Sequence, residues 1–511
     1  MDFINGFDRN QLLMMDFESI VNQDSWARVV DLFVEILPLK DLGFKDMLRQ
    51  EGRPPYRSSD LLKLYIYGYK NQLRTSRKLE QACKVNIEVI WLLKGLSPSA
   101  RKIAYFRKNN AIAFKQAFRY FVCLLKEWEL IEGKTIAIDS FKIRAQNALK
   151  NNFNQKKIDR HIEYIDNKIE EYQKELDKHD TELFKKKIEQ KIAYQQSKKE
   201  RYKHIEKQLN NSGQSQISLT DPDARSVVLH RNIVNVGYCI QAGCDNKHKL
   251  FVNNDTGSVN DTNALSSMAI DAKELLKVET MNTLTDKGYT TAKHLDKCVK
   301  NGITPYSSPK EHSSQHNGLY PMKIFVYNKQ QDSYKCPAGE VLSTNGSVYN
   351  KGNHKVKHYK TKDCKGCNLR NQCTQNKNGR FIERSIYQEA LEENQKRVNQ
   401  NPEYYRLRQQ ISEHQFGTLK RQWGFTFTLM KGKENVLSEV NLMMICYNLR
   451  RLMSIFTIDE LKSRMEARKL YFLFKIDALL RLLQPFISKI ITIYPFPFTI
   501  FKPSKGIYLG I

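Results

Sequence analysis

Hydrophobic residues recur at helical spacing through the first part of the chain. From Leu61 to Tyr69, and again within Ala111–Glu127, apolar side chains lie three and four positions apart, as one face of an amphipathic helix requires. A basic helix around Ser76–Leu79 is predicted between them. The pattern therefore predicts a helical region over residues 1–130, either a DNA-binding unit or an ordinary helical domain.

The pattern changes to strands after residue 133. The β-branched run Lys134–Ile138 predicts a buried strand that ends at Asp139. Over residues 226–306, apolar runs and helical segments follow in the order strand, hairpin, helix, strand, helix, strand. Hairpins join antiparallel strands and helical crossovers join parallel ones, so this order predicts a mixed α/β sheet. The first part of this core is predicted at 131–308 and its closing helices at 401–455.

Two insertions and a tail complete the predicted organisation. Residues 151–208 contain no Gly or Pro, and their apolar residues recur at intervals of three and four. This predicts an antiparallel helical arm or coiled coil, inserted at 151–213, that turns near 177–181. Residues 309–400 are polar, loop-rich and contain four cysteines, whereas residues 456–511 form a hydrophobic tail. Prolines and charged residues interrupt the tail, so a membrane span is not expected.

The charge balance narrows the class of partner. The chain has 511 residues with 83 Lys+Arg against 55 Asp+Glu, a formal charge of +28. Such a surplus favours a nucleic-acid partner, because basic side chains at phosphates release counterions. An anionic membrane surface is the alternative, but the basic residues run through the whole chain instead of flanking one apolar face. The start of the sequence lacks the basic and apolar regions of a signal peptide. We therefore expect a cytoplasmic, nucleoid-associated protein.

Three carboxylates are the candidate catalytic residues. Asp139 and Asp286 each follow a predicted strand, and Glu413 shares one helix face with Phe416 and Lys420. Convergent carboxylates hold Mg²⁺ (or Mn²⁺), and two such ions about 3.5–4 Å apart stabilise the attacking and leaving oxygens at phosphorus. Each acid alone is better explained as a cap or turn residue or as a solvated side chain. Their combination with the sheet order and the positive charge favours a metal site.

The segments around these acids resemble the DDE transposases of bacterial insertion sequences, whose catalytic core is RNase H-like. AIDSFKIRAQN at 137–147 is similar to the first-Asp motif of that family, and LTDKGY at 284–289 is similar to the second. SEHQFGTLKRQWGF at 412–425 is similar to the Glu-helix motif. LTDPDAR at 219–225, YNLRRL at 447–452 and RPPYRSSDLLKL at 53–64 also resemble family segments. The resemblance covers roughly residues 50–455.

The resemblance implies a function as well as a fold. A transposase binds the terminal inverted repeats of its element, cleaves the DNA at the element ends and joins the 3′-hydroxyl to target DNA. Asp139, Asp286 and Glu413 are then the catalytic residues and the ligands of the Mg²⁺ ions. The implied partners are double-stranded DNA and further copies of the chain, in a homodimer or a higher assembly. A catalytically inactive DNA-binding remnant and a metal-dependent nuclease without strand transfer remain as alternatives.

The resemblance also implies DNA contacts by Lys420, Arg408, Tyr405 and Lys287. Lys420 lies seven residues after Glu413, as in the family. The family signature places the Tyr seven and the Arg four residues before the Glu, whereas here they lie eight and five before it. Because one residue turns a helix by about 100°, Lys420 is the stronger candidate for a phosphate contact.

The cysteines of the second insertion suggest a second metal site. Cys364 and Cys367 form a C-x-x-C pair, with Cys373 after it and Cys336 before it. Four soft ligands bind zinc tetrahedrally, and a metal would help a polar segment to fold. His354 or His358 could replace one ligand, and free thiols in a reduced loop are the alternative. We expect a structural Zn²⁺ away from the chemistry. The absence of a GxxxxGK[ST] motif argues against an ATP-driven motor.

Overall fold

The N-terminal region is helical, as predicted. The computed structural model of the chain describes residues 16–45, 54–178, 181–230, 233–257, 260–309, 319–352 and 354–470. The tail predicted at 456–511 therefore lies outside the described residues from 471 onward. The first helices are α1 (Trp26–Glu35), α2 (Ser58–Lys70), α3 (Ser76–Val85), α4 (Ile87–Leu92), α5 (Ala100–Asn109) and α6 (Ala111–Glu127). The bounds of α6 are those that its apolar spacing predicts.

Strands and helices then alternate up to residue 307. They are β1 (Thr135–Arg144), β2 (Asn152–Phe153), α7 (Gln155–Leu176), α8 (Glu182–Ser212), β3 (Ile217–Ser218), β4 (Arg225–His230), β5 (Ile233–Asp245), β6 (Phe251–Thr256), α9 (Leu265–Leu276), β7 (Met281–Thr285), α10 (Ala292–Lys300) and β8 (Ile303–Ser307). The remaining elements begin after residue 325. They are β9 (Val326–Asn328), β10 (Ser333–Lys335), β11 (Val341–Ser343), β12 (Val348–Lys351), β13 (His354–Tyr359), α11 (Arg370–Cys373), β14 (Ile382–Ser385), α12 (Gln388–Gln400), α13 (Pro402–Gly417) and α14 (Lys433–Ile455).

The central sheet is mixed. Its strand order is β4-β5-β1-β7-β8, and β6 pairs with the second half of β5. The pairs of β5 with β1, β4 and β6 are antiparallel, whereas β7 is parallel to both β1 and β8. This confirms the predicted α/β class with a helical N-terminal region. The order β6-β5-β1-β7-β8 is consistent with an RNase H-like core.

The first strand of this sheet is longer than the sequence predicts. β1 continues past Asp139 to Arg144, so the prediction that the strand ends at Asp139 is wrong. The reason is that β5 pairs with β1 from Ile136 to Arg144, which keeps the later residues in a ladder. The parallel pairing with β7 does end here, with Ile138 opposite Thr285. Asp139 therefore follows the last parallel pair although it lies within β1.

The helical arm forms as predicted. α7 and α8 pack against each other, and residues 179–180 between them lie outside the described part of the chain. A small apolar cluster at the base of the arm contains Phe153, Ile158, Ile205 and Leu209. The short β2–β3 ladder continues this base toward the core. The arm is thus a local hairpin that grows out of the chain between β1 and β4.

The cysteine-rich segment contains more regular structure than the predicted loops. Strands β9–β11 and β12–β14 form two three-stranded sheets around an apolar cluster of their own. These strands have three to six residues, too short to show an alternating pattern. The following helix α12 packs on the edge strand β8, where Asn394 accepts from the Ser307 N–H at 2.9 Å and donates to its carbonyl.

One apolar core joins the N-terminal helices, the sheet and α14. Every residue of α14 from Val436 to Leu449 is buried, because α2, α6 and β6 pack around this helix. Among the described residues, no helix has the length and apolarity that a membrane crossing requires.

Candidate active site

Asp139 and Asp286 lie side by side. Ile138 is opposite Thr285 in the parallel ladder, so the next residues of the two strands are neighbours at a spacing of about 4.8 Å between strands. Asp286 directly follows β7 and caps a 3₁₀ turn, where its Oδ1 accepts from the Lys287 N–H at 2.7 Å. The sheet therefore brings these two predicted site residues together.

The Asp139 carboxylate is largely removed from water. Its side chain is 22% exposed, and its Oδ1 accepts from the Ser140 N–H at 2.8 Å. Its Oδ2 accepts from Ser412 Oγ at 3.1 Å and lies 3.4 Å from Arg408 Nη1. Burial raises the pKa of Asp139, and the nearby Asp286 adds to the rise, against the three donors. A desolvated carboxylate beside a second one is an environment that a cation would stabilise.

Helix α13 lies across the sheet face that carries Asp139. Near its start, the Tyr404 hydroxyl is 2.7 Å from Thr135 Oγ1. Near its end, the Phe416 ring packs on Phe141 with 5.0 Å between the ring centroids. These two contacts fix which side of the helix faces the sheet. Arg408 and Ser412, which lie between them on that side, consequently reach Asp139.

Glu413 directly follows Ser412 on α13 but differs from it in exposure to solvent. Its side chain is exposed, whereas the preceding Ser412 is buried against Asp139. One residue along a helix corresponds to a rotation of about 100°, which accounts for the difference. Among the described residues, no three His, Cys, Asp or Glu side chains form a group that could hold a metal ion. The structure thus brings together Asp139 and Asp286, whereas among the described residues Glu413 forms no metal-binding group with them.

Three of the four predicted DNA-contacting residues lie beside the aspartates, and the fourth, Lys420, follows α13. Tyr405 donates to the Thr285 carbonyl at 3.1 Å, and with Arg408 it lines an open groove beside the carboxylates. Lys287 is exposed next to Asp286. Lys420 lies in a π-helical turn, Thr418–Gln422, that continues α13. Burial lowers the pKa of Lys420, and the nearby cations of Arg421 and Lys142 lower it further.

Two residues of the site are not among the predicted ones. Ser412 and Tyr404 hold α13 on the sheet, and Tyr404 Oη also accepts from Asn282 Nδ2 at 2.9 Å. Tyr404 lies four residues before Arg408, and Ser412 lies four residues after it. All three therefore share one helix face. That spacing is a signal in the sequence that would have identified both.

The four cysteines of the second insertion line one cavity. All four are free thiols. Burial raises the pKa of Cys373, and the other three cysteines add to the rise while Arg380 opposes it. Of the two alternative ligands, His358 stacks on Tyr349 at 4.0 Å and is not among the residues that line the cavity. The side chain of His354 lies outside the described structure.

Two segments of the chain match known protein families. Residues 335–453 match a transposase DDE domain, and residues 15–109 match a transposase domain (DUF772). The chain thus contains two segments that are similar to transposase domains. Both matches support a transposase of an insertion element, in agreement with the resemblance of the motifs. No curated protein and no solved structure matches the chain.

The two matched segments contain some of the candidate site residues and leave out others. The DDE match contains Glu413, the helix α13 and the cysteine cavity. Asp139 and Asp286 lie outside both matched segments. Their assignment therefore depends on the sheet geometry and on the motifs around them.

Proposed function

We propose that this transposase binds the terminal inverted repeats of an insertion sequence, cleaves DNA at the element ends and joins the 3′-hydroxyl to target DNA. The observation that carries the proposal is the position of Asp139 beside Asp286, under a helix that bears Glu413. Divalent Mg²⁺ or Mn²⁺ bound there would lower the pKa of water and stabilise the leaving oxygen in an in-line displacement.

The protein's own groups have distinct tasks in this proposal. Asp139 and Asp286 supply carboxylate oxygens from a rigid sheet, and Ser412 orients the Asp139 carboxylate. Arg408, which lies 15% exposed between the groove and Asp139, is placed to bind a phosphate of the DNA. Tyr405, Lys287 and Lys420 extend the polar and basic lining around the pair.

Glu413 becomes the third carboxylate in the proposal if α13 turns. A π-helical turn contains an extra residue relative to an α-helix, and here it directly follows α13. Movement of that extra residue into α13 would rotate the helix by about 100°, the angle that separates Glu413 from Ser412. DNA binding in the groove beside Tyr405 and Arg408 is the proposed trigger.

The test is cleavage of a labelled duplex that contains the element's own end and its flank. Wild type is compared with Asp139→Asn, Asp286→Asn and Glu413→Gln, each with Mg²⁺ and with EDTA. The matched control is Glu403→Gln, an exposed glutamate at the start of the same helix. We expect Mg²⁺-dependent nicking by wild type and the control, and DNA binding without nicking by the three site variants.

Other results of this cleavage assay would favour one of the two alternative functions, the inactive remnant or the nuclease. An inactive DNA-binding remnant is favoured by the observation that, among the described residues, Glu413 forms no metal-binding group with the aspartates while Arg408 contacts Asp139. It predicts wild-type binding without cutting under either metal. Full activity of Glu413→Gln would remove this residue from the site. A pre-cleaved end that is never joined to target DNA would indicate a nuclease without strand transfer.

A further inference from the structure

The cysteine-rich segment gathers sulfur atoms from three separate stretches of the chain. Cys336 follows β10, Cys364 and Cys367 lie in one turn on either side of Gly366, and Cys373 ends α11. All four line the same cavity. Residues that are distant in sequence are thus brought together by the fold, which is more than the C-x-x-C spacing alone requires.

Tight turns present two of these cysteines. The Cys336 N–H donates to the Glu340 carbonyl at 2.9 Å, and the Gly339 N–H donates back to the Cys336 carbonyl at 2.9 Å. At the second turn, the Arg370 N–H donates to the Cys367 carbonyl at 3.1 Å. Closed turns of this kind hold a cysteine side chain on the inner side of a short loop, as structural zinc sites require.

A glycine fixes the packing of a further loop against Cys364. Gly379 has φ +88°, and a Cβ built on it would lie 2.6 Å from Cys364 Cβ. A residue with a side chain would collide with Cys364 here, so this close approach of the backbone requires glycine. Arg380, the next residue, donates from Nη1 to the Cys373 carbonyl at 3.0 Å. The loop at 376–380 thus packs against Cys364, and its Arg380 lines the cavity.

Little apolar packing stabilises this segment. Its buried apolar cluster consists of Phe325, Tyr334, Leu342, Tyr359 and Ile382, separate from the main core. Scaffolds below about 70–80 residues seldom gain more than about 3–5 kcal/mol from one core, and natural examples add disulfides or a metal. The cysteines here are free, so disulfides do not supply this stabilisation.

We propose that Cys336, Cys364, Cys367 and Cys373 bind one structural Zn²⁺ as four thiolates. Binding replaces four S–H bonds with four Zn–S bonds and releases four protons to solvent. Among the described residues, the four cysteines line the cavity but their sulfurs are not close enough together to form a ligating group. Zinc would therefore draw the two turns and the end of α11 inward. The site lies apart from the aspartate pair, so its role is to hold the segment folded.

The experiment uses the full chain, expressed in zinc-supplemented medium and purified under reducing conditions. Zinc is counted per chain, and the metal is then exchanged for Co²⁺, whose absorption spectrum reports tetrahedral thiolate ligation. The variants are Cys364→Ser and Cys367→Ser. The matched control is Cys123→Ser, a half-buried cysteine far from the cavity in sequence.

We expect about one zinc per wild-type chain, a tetrahedral tetrathiolate Co²⁺ spectrum, and four thiols that react with a thiol reagent only after chelation. Cys364→Ser and Cys367→Ser should lose the zinc, whereas Cys123→Ser should retain it. Wild type that binds neither ion, or Cys364→Ser that retains a full equivalent of zinc, would overturn the proposal. The wild-type Co²⁺ spectrum and thiol count decide the question even if the variants misfold.

Discussion

At the scale of single residues, Asp139 shows a conflict between burial and charge. Its partners Ser140, Arg408 and Ser412 lower its pKa, but burial outweighs them and the pKa is raised above the ordinary 3.8. A carboxyl whose pKa is raised by folding binds its proton more tightly in the folded protein than in the unfolded chain. The free energy of unfolding therefore falls as the pH rises from 3.8 through the raised value.

Replacement of Asp139 by Asn should consequently stabilise the metal-free protein at neutral pH. The gain is expected because the amide of Asn carries no charge that burial would penalise. The measurement is Tm in EDTA from pH 3 upward, with the exposed Asp459→Asn as control. The Tm of Asp139→Asn minus the Tm of wild type should increase as the pH rises. A difference that is constant with pH would show that the charge of Asp139 carries no burial cost.

The sequence predicts the pair of aspartates but not the direction of Glu413. Asp139 and Asp286 could be placed because each follows an apolar run at a predicted strand, and parallel strands align such positions. The direction of Glu413 depends on which side of α13 faces the sheet. Tyr404 on Thr135 and Phe416 on Phe141 decide this, and both contacts are tertiary. Because one residue turns a helix by about 100°, neighbouring residues such as Ser412 and Glu413 can differ fully in burial.

At the scale of elements, the docking of α13 depends on aromatic packing. Phe141 is 4% exposed, and its ring lies 5.0 Å from that of Phe416 and 6.4 Å from that of Phe425. These contacts attach the end of α13, and the segment after it, to β1. The carboxylate site is built between this attachment and the one at Tyr404.

Phe141→Ala should loosen α13 without changing any polar residue of the site. A Phe-to-Ala change in a packed core costs about 3–5 kcal/mol, so the urea midpoint should fall strongly. Amide hydrogen exchange in α13 should also become faster relative to that in α6, which packs on α14 and α9. Tyr105→Ala, at a site that is 60% exposed, serves as control and should change neither quantity. Unchanged exchange in α13 would contradict the proposed attachment.

Elements with long periodic patterns are predicted well, and short ones are not. The arm at α7 and α8 and the helix α6 follow from apolar spacing over many residues. The small sheets of the cysteine-rich segment were expected to be loops, because strands such as Val326–Asn328 are too short for alternation to be visible. β1 was predicted too short, since its extension depends on a partner strand about one hundred residues later.

At the scale of the whole molecule, a buried ion pair connects the N-terminal helices to α14. Glu439 is fully buried, with its Oε1 3.3 Å from Arg107 Nη1 and 3.4 Å from the Tyr69 hydroxyl. Its Oε2 accepts from the Leu429 N–H at 2.8 Å. The pair thus joins α5, α2 and α14 in the interior of the common core.

Glu439→Ala should destabilise the entire chain. It leaves the Arg107 charge buried without this partner, which typically costs about 3–5 kcal/mol. The double variant Arg107→Met, Glu439→Leu removes both charges and should recover much of the loss. Urea unfolding, followed by signals from the N-terminal helices and from the sheet, is expected to show one shared transition. Separate transitions, with only the first one shifted, would mean that the two regions unfold independently.

The shared core has a geometric consequence for DNA. Because α2, α6, α14 and the sheet pack as one unit, the N-terminal helices cannot pivot relative to Asp139 and Asp286. If those helices contact the element end, the number of base pairs between the contacted sequence and the cut bond is set by the protein. About five added base pairs, half a turn of the duplex, would then present the opposite side of the DNA to the carboxylates. Cleavage would then depend on the number of base pairs between the bound sequence and the cut bond, as well as on the sequence itself.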